Sequence, residues 1–266
     1  MLRIALVLSV CCLMLHSFPL AAEVITSYSV APTVVEVNLS SSRSGFVIVS
    51  NDTDKSFRIQ IDPKYFTPQE LGFGRHINDT VAGIENIADS IVVSPKVVRL
   101  TPKSKRMVRF SVKPGKTLEK GEYRANFVFL PVEKKDADEI KADAKGIGTK
   151  IEWILELRIP FFGSFGTREQ SRISVSASSG TEKEQYFVDL VMKNPTIWRY
   201  PGEFTFTDAD TGEDLGLIRL ITYRETEYSY RFMLKQKPRG TRVRVQWKSF
   251  LQDVPAEPGE TVVEIK

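Results

Sequence analysis

The chain has 266 residues, with 37 basic against 33 acidic side chains and a formal net charge of +4. A balance that mild does not point to nucleic acid, whose phosphates call for a dense basic patch. Two cysteines and two histidines offer neither a disulfide framework nor a rich set of metal ligands, and the length suits two domains with one buried core each.

At the N-terminus, Met1, Leu2 and Arg3 lead into an apolar run over residues 4–15, and the small Ala21 and Ala22 close the segment. This is the pattern of a secretory signal peptide, residues 1–22, with cleavage expected after Ala22. The run is shorter than the ~20 residues a membrane-spanning helix needs, so no stable membrane insertion is expected. Cys11 and Cys12 both fall inside the leader, which leaves the processed chain without thiol chemistry. Leu8-Ser9-Val10-Cys11 resembles a lipoprotein cleavage box only faintly, because Val10 stands where a small residue is required.

Beyond the leader almost every apolar segment alternates with period two, and Gly, Pro, Asn and Asp punctuate the intervals, so the fold class is all-β. Strands are expected at 29–37, 46–50, 57–61, 91–100, 106–112, 123–130 and 151–162, enough for one β-sandwich within residues 23–163. A second sandwich within 164–266 would use 173–177, 186–192, 202–207, 215–220, 228–234, 241–247 and 261–265. The bend between them is expected at Gly163-Ser164-Phe165-Gly166. The connection 62–90, with Pro63, Pro68, Gly72, Gly74 and Gly83, reads as a crossover carrying a short helical turn at 81–87. The charged connection 133–146 reads as a solvated loop, since Ile140 alone offers little apolar surface to offset the entropy of ordering.

Residues 150–162, KIEWILELRIPFF, carry Ile151, Trp153, Leu155, Leu157 and Ile159 on one face. Glu152, Glu156 and Arg158 take the other, with Ile154 its apolar exception. A strand of this kind, following a long charged connection, reads as a sheet edge rather than a doubly buried centre. An exposed edge invites aggregation unless a partner is meant to pair with it. Period alone also fits an ordinary core-facing strand.

Little else suggests chemistry. His76 is the one histidine beyond the leader and has no neighbouring ligand cluster. Asp208, Asp210, Glu213 and Asp214 lack the spacing of a calcium loop, and a hairpin turn ending at Gly212 accounts for them better. No nucleophile elbow, P-loop or paired-histidine zinc motif is found, so neither an enzyme nor a cofactor is expected. Asn38, Asn51 and Asn78 each open an Asn-x-Ser/Thr triplet of the glycosylation type.

The order of several segments is recognisable. Residues 91–110, IVVSPKVVRLTPKSKRMVRF, together with FVIVSND at 46–52, EYRANFVFLP at 122–131 and the 150–162 stretch, resemble the periplasmic pilus-assembly chaperones of the chaperone-usher pathway. The likeness covers residues 27–163; VDLVMKNP at 188–195 carries it into the second half in character more than in motif. It implies two immunoglobulin-like sandwiches set at an angle and a periplasmic protein that binds pilin-like subunits and passes them to an outer-membrane usher without nucleotide. By donor-strand complementation Ile151, Trp153, Leu155 and Leu157 would fill the subunit's groove while backbone groups pair along the edge. The resemblance also implies a clamp for the subunit's terminal carboxylate. Arg158 falls on one of its two cationic positions, but Val34 stands at the other, with Arg43 and Lys64 the basic residues considered in its place. Arg109 and Glu122 match an Arg and a Glu of a charge network at the domain junction. Self-association through the same edge stays open, and the alternative reading is an envelope adhesion or structural module that shares the sandwich.

Overall fold

Proline cannot donate to a sheet ladder, and two prolines split strands that periodicity predicts as continuous. The computed structural model describes residues 28–115, 117–132, 155–234, 240–252 and 254–266; the expected leader and the charged connection at 133–146 lie outside them. The expected strand at 29–37 is instead β1 (Tyr28–Ala31) and, past Pro32, β2 (Val35–Asn38). After β3 (Ser44–Asn51), β4 (Phe57–Lys64) and a two-residue β5 (Arg75–His76), the expected strand at 91–100 breaks at Pro95 into β6 (Ile91–Ser94) and β7 (Val97–Leu100). Both breaks carry the chain from one sheet to the other. With β8 (Lys105–Val112), β9 (Gly121–Val132) and β10 (Leu157–Phe165), the sheets read β1-β3-β8-β6 and β2-β10-β9-β4-β7. Val49, Ile59, Phe127, Phe129 and Phe161 fill the space between them, and Phe161 meets Phe110 and Phe127 edge-on at 5.9 Å.

The second half builds β11 (Ser174–Glu182), β12 (Gln185–Asn194), β13 (Tyr200–Asp208), β14 (Asp214–Thr222), β15 (Thr226–Met233), β16 (Arg242–Ser249) and β17 (Gly259–Glu264). Its sheets are β11-β12-β15-β5 and β14-β13-β16-β17 over a core of Leu190, Met192, Phe204, Phe206 and Val245. The expected all-β architecture of two sandwiches is therefore present. The turn after the first sandwich falls on the last residue of the expected bend. Gly163, Ser164 and Phe165 continue the β9–β10 ladder, and the chain turns only at Gly166, with φ +82°.

Each sandwich secures one strand end with the same device. Asn51, closing β3, donates through Nδ2 to the Lys55 and Thr101 carbonyls at 2.8 and 2.9 Å, while its Oδ1 accepts from the Thr53 amide and hydroxyl. Asn194, closing β12, donates to the Trp198, Thr222 and Tyr223 carbonyls, and its Oδ1 accepts from Thr196 in the same two ways. Both side chains are buried, so the triplet at Asn51 serves the fold and leaves no free amide to modify.

The crossover 62–90 leaves the first sandwich to reach the second. Arg75 and His76 pair antiparallel with Glu227 and Thr226 of β15, which makes β5 the fourth strand of the second sandwich's sheet. The chain then returns through α1 (Val81–Glu85), within the helical turn expected at 81–87. Glu85 is fully buried, and its Oε1 lies 2.6 Å from each of Tyr65 Oη, His76 Nε2 and Arg124 Nη2. Burial pushes this carboxyl up, but the bond from His76, the Arg124 charge and the Tyr65 hydroxyl outweigh it and hold the pKa at about 2.

Two tests follow from these buried groups. Asn194→Ala strands three carbonyls and should cost the second sandwich about 2–4 kcal/mol, read as a lower urea midpoint. Glu85 has its folded pKa below the ordinary 4.5, so the stability it contributes is complete above that value and is lost as the pH falls toward 2. Wild type should therefore exceed Glu85→Gln in denaturation midpoint at pH 6, with the gap closing as the pH is taken to 3; a gap independent of pH would contradict the ion cluster.

Candidate functional site

A strand in a sheet needs a partner on each side or leaves its backbone groups to solvent. β9 flanks β10 along its whole length, from Leu157 opposite Phe129 to Phe165 opposite Gly121. On the other side β2 runs parallel to it, but only against Phe161–Ser164, because the chain reaches this sheet only after the break at Pro32. Among the described residues, the upstream half of β10 thus has no strand on that flank. The expectation of an edge is corrected by half: Leu157 to Pro160 is open, and from Phe161 onward β10 is an interior strand.

The apolar stripe divides at the same place. Ile159 and Phe161 are buried in the home core, and Leu157 is half-buried against it. Leu155, next in the same parity, is 54% exposed. The Tyr28 hydroxyl lies 2.9 Å from the Phe129 carbonyl and 3.1 Å from that of Leu155, which ties the start of the open segment to β1. Ile151 and Trp153 lie outside the described residues.

Arg158 points from the opposite face of β10. Its Nε donates to Glu156 Oε1 at 2.6 Å, and its guanidinium stacks 4.1 Å from the centre of the Phe66 ring. It is held on two sides in this way and is still 43% exposed. Val35 sits opposite Phe161, and Val34, just ahead of β2, brings no charge to this end of the sheet. Of the two basic residues considered in its place, Lys64 lies in the row of Pro160, opposite Asn126, which is itself opposite Pro160. That puts Lys64 two strands from Pro160, about 10 Å across the sheet. Arg43 is at the other end, its Nε bonded to the Leu39 carbonyl beside Ser164. The structure brings Lys64 toward this site and leaves Arg43 away from it.

Glu122 and Arg109 are not brought together. Arg109 is exposed on β8, opposite Phe46 and Ser94, on the outer face of the other sheet. Glu122 is buried at the junction of the two sandwiches, where Oε2 accepts from Arg199 at 3.1 Å and Arg168 at 3.4 Å. Arg199 also donates to Glu36 at 2.5 Å and stacks 4.0 Å from the Phe162 ring, while Arg224 donates to the Glu122 carbonyl. Complete burial pushes the Glu122 carboxyl up, against the pull of Arg199 and Arg168. The arginines were missed in the sequence because they lie in the second half, which carries no motif; the one signal was Arg199 interrupting the apolar Ile197-Trp198-Arg199-Tyr200.

The remaining candidates have structural roles. Asp208 caps the β13–β14 turn through bonds from the Asp210 and Thr211 amides, and His76 is engaged with Glu85. No group of three or more His, Cys, Asp or Glu among the described residues could hold a metal ion.

No family model and no curated protein matches the chain. Solved structures do. A structure of the Salmonella enterica SafA pilin in complex with the SafB chaperone matches at 11% identity over 90% of this chain and 97% of that one, with a TM-score of 0.52. The E. coli chaperone DraB matches at 15% identity over 91% and 97%, with 0.51, and the YadV chaperone at 12% over 88% and 98%, with 0.50. The chain therefore has the two-domain, all-β fold of the pilus chaperones.

Proposed function

We propose that this protein is a periplasmic chaperone for pilin-like subunits, which it holds by lending them the open flank of β10 and then delivers to an outer-membrane usher. The observation that carries this reading is a strand that is core-anchored downstream and, among the described residues, open on one flank upstream. From Phe161 onward β10 is fixed between β2 and β9, so the Leu157–Pro160 backbone is presented in extended form at little further entropic cost. An incomplete sandwich that paired there would gain main-chain hydrogen bonds and a place for alternate side chains, the β-augmentation mode.

Leu155 has the parity and exposure to enter such a groove, and Ile151 and Trp153 continue that parity in the sequence. Each large apolar side chain so buried contributes roughly 1.5–3 kcal/mol. Leu157 plays a lesser part, because its own core already covers half of it. Arg158, steadied by Phe66 and Glu156, is the anchor for a subunit's terminal carboxylate, and Lys64 is the cation that takes the place left by Val34. The buried junction at Glu122 holds the domains rather than the client.

The test is co-expression with a pilin-like subunit and recovery of the complex. Leu155→Asp should lower recovery at least ~10-fold, the factor that corresponds to 1.4 kcal/mol. Arg158→Ala should weaken the complex, and Lys64→Ala should weaken it less. Met107→Asp, on the outer face of the other sheet, should leave recovery unchanged. Undiminished recovery with Leu155→Asp would remove the donated-edge reading.

A further inference from the structure

The proposed binding site uses none of the 65–87 segment beyond Phe66, yet this segment makes buried contacts with both sandwiches. We infer that it is a strap that holds the two sandwiches at one fixed relative angle in the free protein, with β5 a strand the molecule lends to itself. The inference stands apart from the chaperone reading and needs no client.

The strap grips both bodies. On the second, Phe73 packs edge-on against Tyr223 and Tyr228 at 5.9 and 6.0 Å, β5 pairs with β15, and the Ile77 amide donates to the Glu225 carbonyl at 2.8 Å. On the first, Glu85 is buried against Arg124 of β9. The two grips are joined through His76, which sits on the second body's sheet while its Nε2 meets Glu85. Arg124 completes the circuit by lying 3.9 Å over the Tyr223 ring. Rotation of one sandwich against the other would take donors from a buried carboxylate and open an aromatic cluster at the same time.

The local sequence is built for this approach. Gly74 has φ +86°, and a Cβ there would lie 2.1 Å from the Glu227 carbonyl oxygen, so only glycine lets the strap close onto β15. Sandwiches joined by a single linker are expected to move. Here the chain crosses between them a second time, and the crossing is hydrogen-bonded, packed and charged.

Amide hydrogen exchange and small-angle X-ray scattering on the purified chain test the strap. The Ile77 amide should exchange at least ~100-fold more slowly than that of Asp54 in an exposed turn. Gly74→Val should bring Ile77 to the turn's rate and broaden the scattering-derived size distribution, while Val49 and Val245 amides in the two cores stay slow. Phe73→Ala, which alters a partly exposed side chain and no backbone, should act in the same direction. Gly83→Ala, in the same connection but with open space at the Cβ, should change neither readout. The inference is overturned if Ile77 exchanges as fast as Asp54 in the wild type, or if Phe73→Ala and Gly74→Val free Ile77 without altering the scattering.

Discussion

Everything on the first sandwich's open side depends on one constraint: a chain that enters a sheet late leaves its neighbour unpaired upstream of the entry point. Pro32 cannot carry the β1–β3 ladder forward, so the chain crosses to the other sheet and begins to pair with β10 only at Val35. The open flank of Leu157–Pro160 is thus determined more than a hundred residues earlier in the sequence. It is a property of β2's starting position, and no feature of the 150–162 stretch taken alone would produce it.

The junction between the sandwiches rests on two buried glutamates with opposite electrostatic outcomes. Glu85 collects three close donors on a single oxygen, and their combined pull exceeds the cost of burial. Glu122 meets its arginines at longer range, 3.1 and 3.4 Å, and burial prevails, although in both glutamates the second oxygen has no partner among the described residues. Breaking either would leave an uncompensated buried charge, which disfavours any arrangement that separates the partners.

The two-sandwich fold was legible in the sequence because a period of two survives wherever one face of a strand is buried, and each of the fourteen expected strands overlaps a described one, two of them split in the structure and 151–162 overlapping only from Leu157 onward. What periodicity could not supply was the breaks, since an alternating pattern continues across Pro32 and Pro95 while the backbone changes sheet. β5 was invisible for another reason: two residues carry no period, and their pairing partner lies some 150 positions away. Arg109 was placed at the junction by likeness of motif, whereas its exposed position follows from the parity of β8, where Val108 and Phe110 face the core. The junction arginines show the converse, because long-range charge pairing leaves no local pattern to read.

The role proposed for β10 would make two demands that conflict: enough order to present its backbone, and enough vacancy to accept another chain. Order and vacancy fall on different residues of this one continuous element. Ile159 and Phe161 supply the order through burial, and β2 and β9 hold the downstream backbone on both sides. The upstream residues inherit the extended conformation from that anchor without being enclosed by it, and Tyr28 limits the freedom of the segment at Leu155. Lengthening β2 by four residues toward the N-terminus would cover the flank and make β10 an ordinary interior strand. The break at Pro32 is therefore the feature on which the availability of the edge turns.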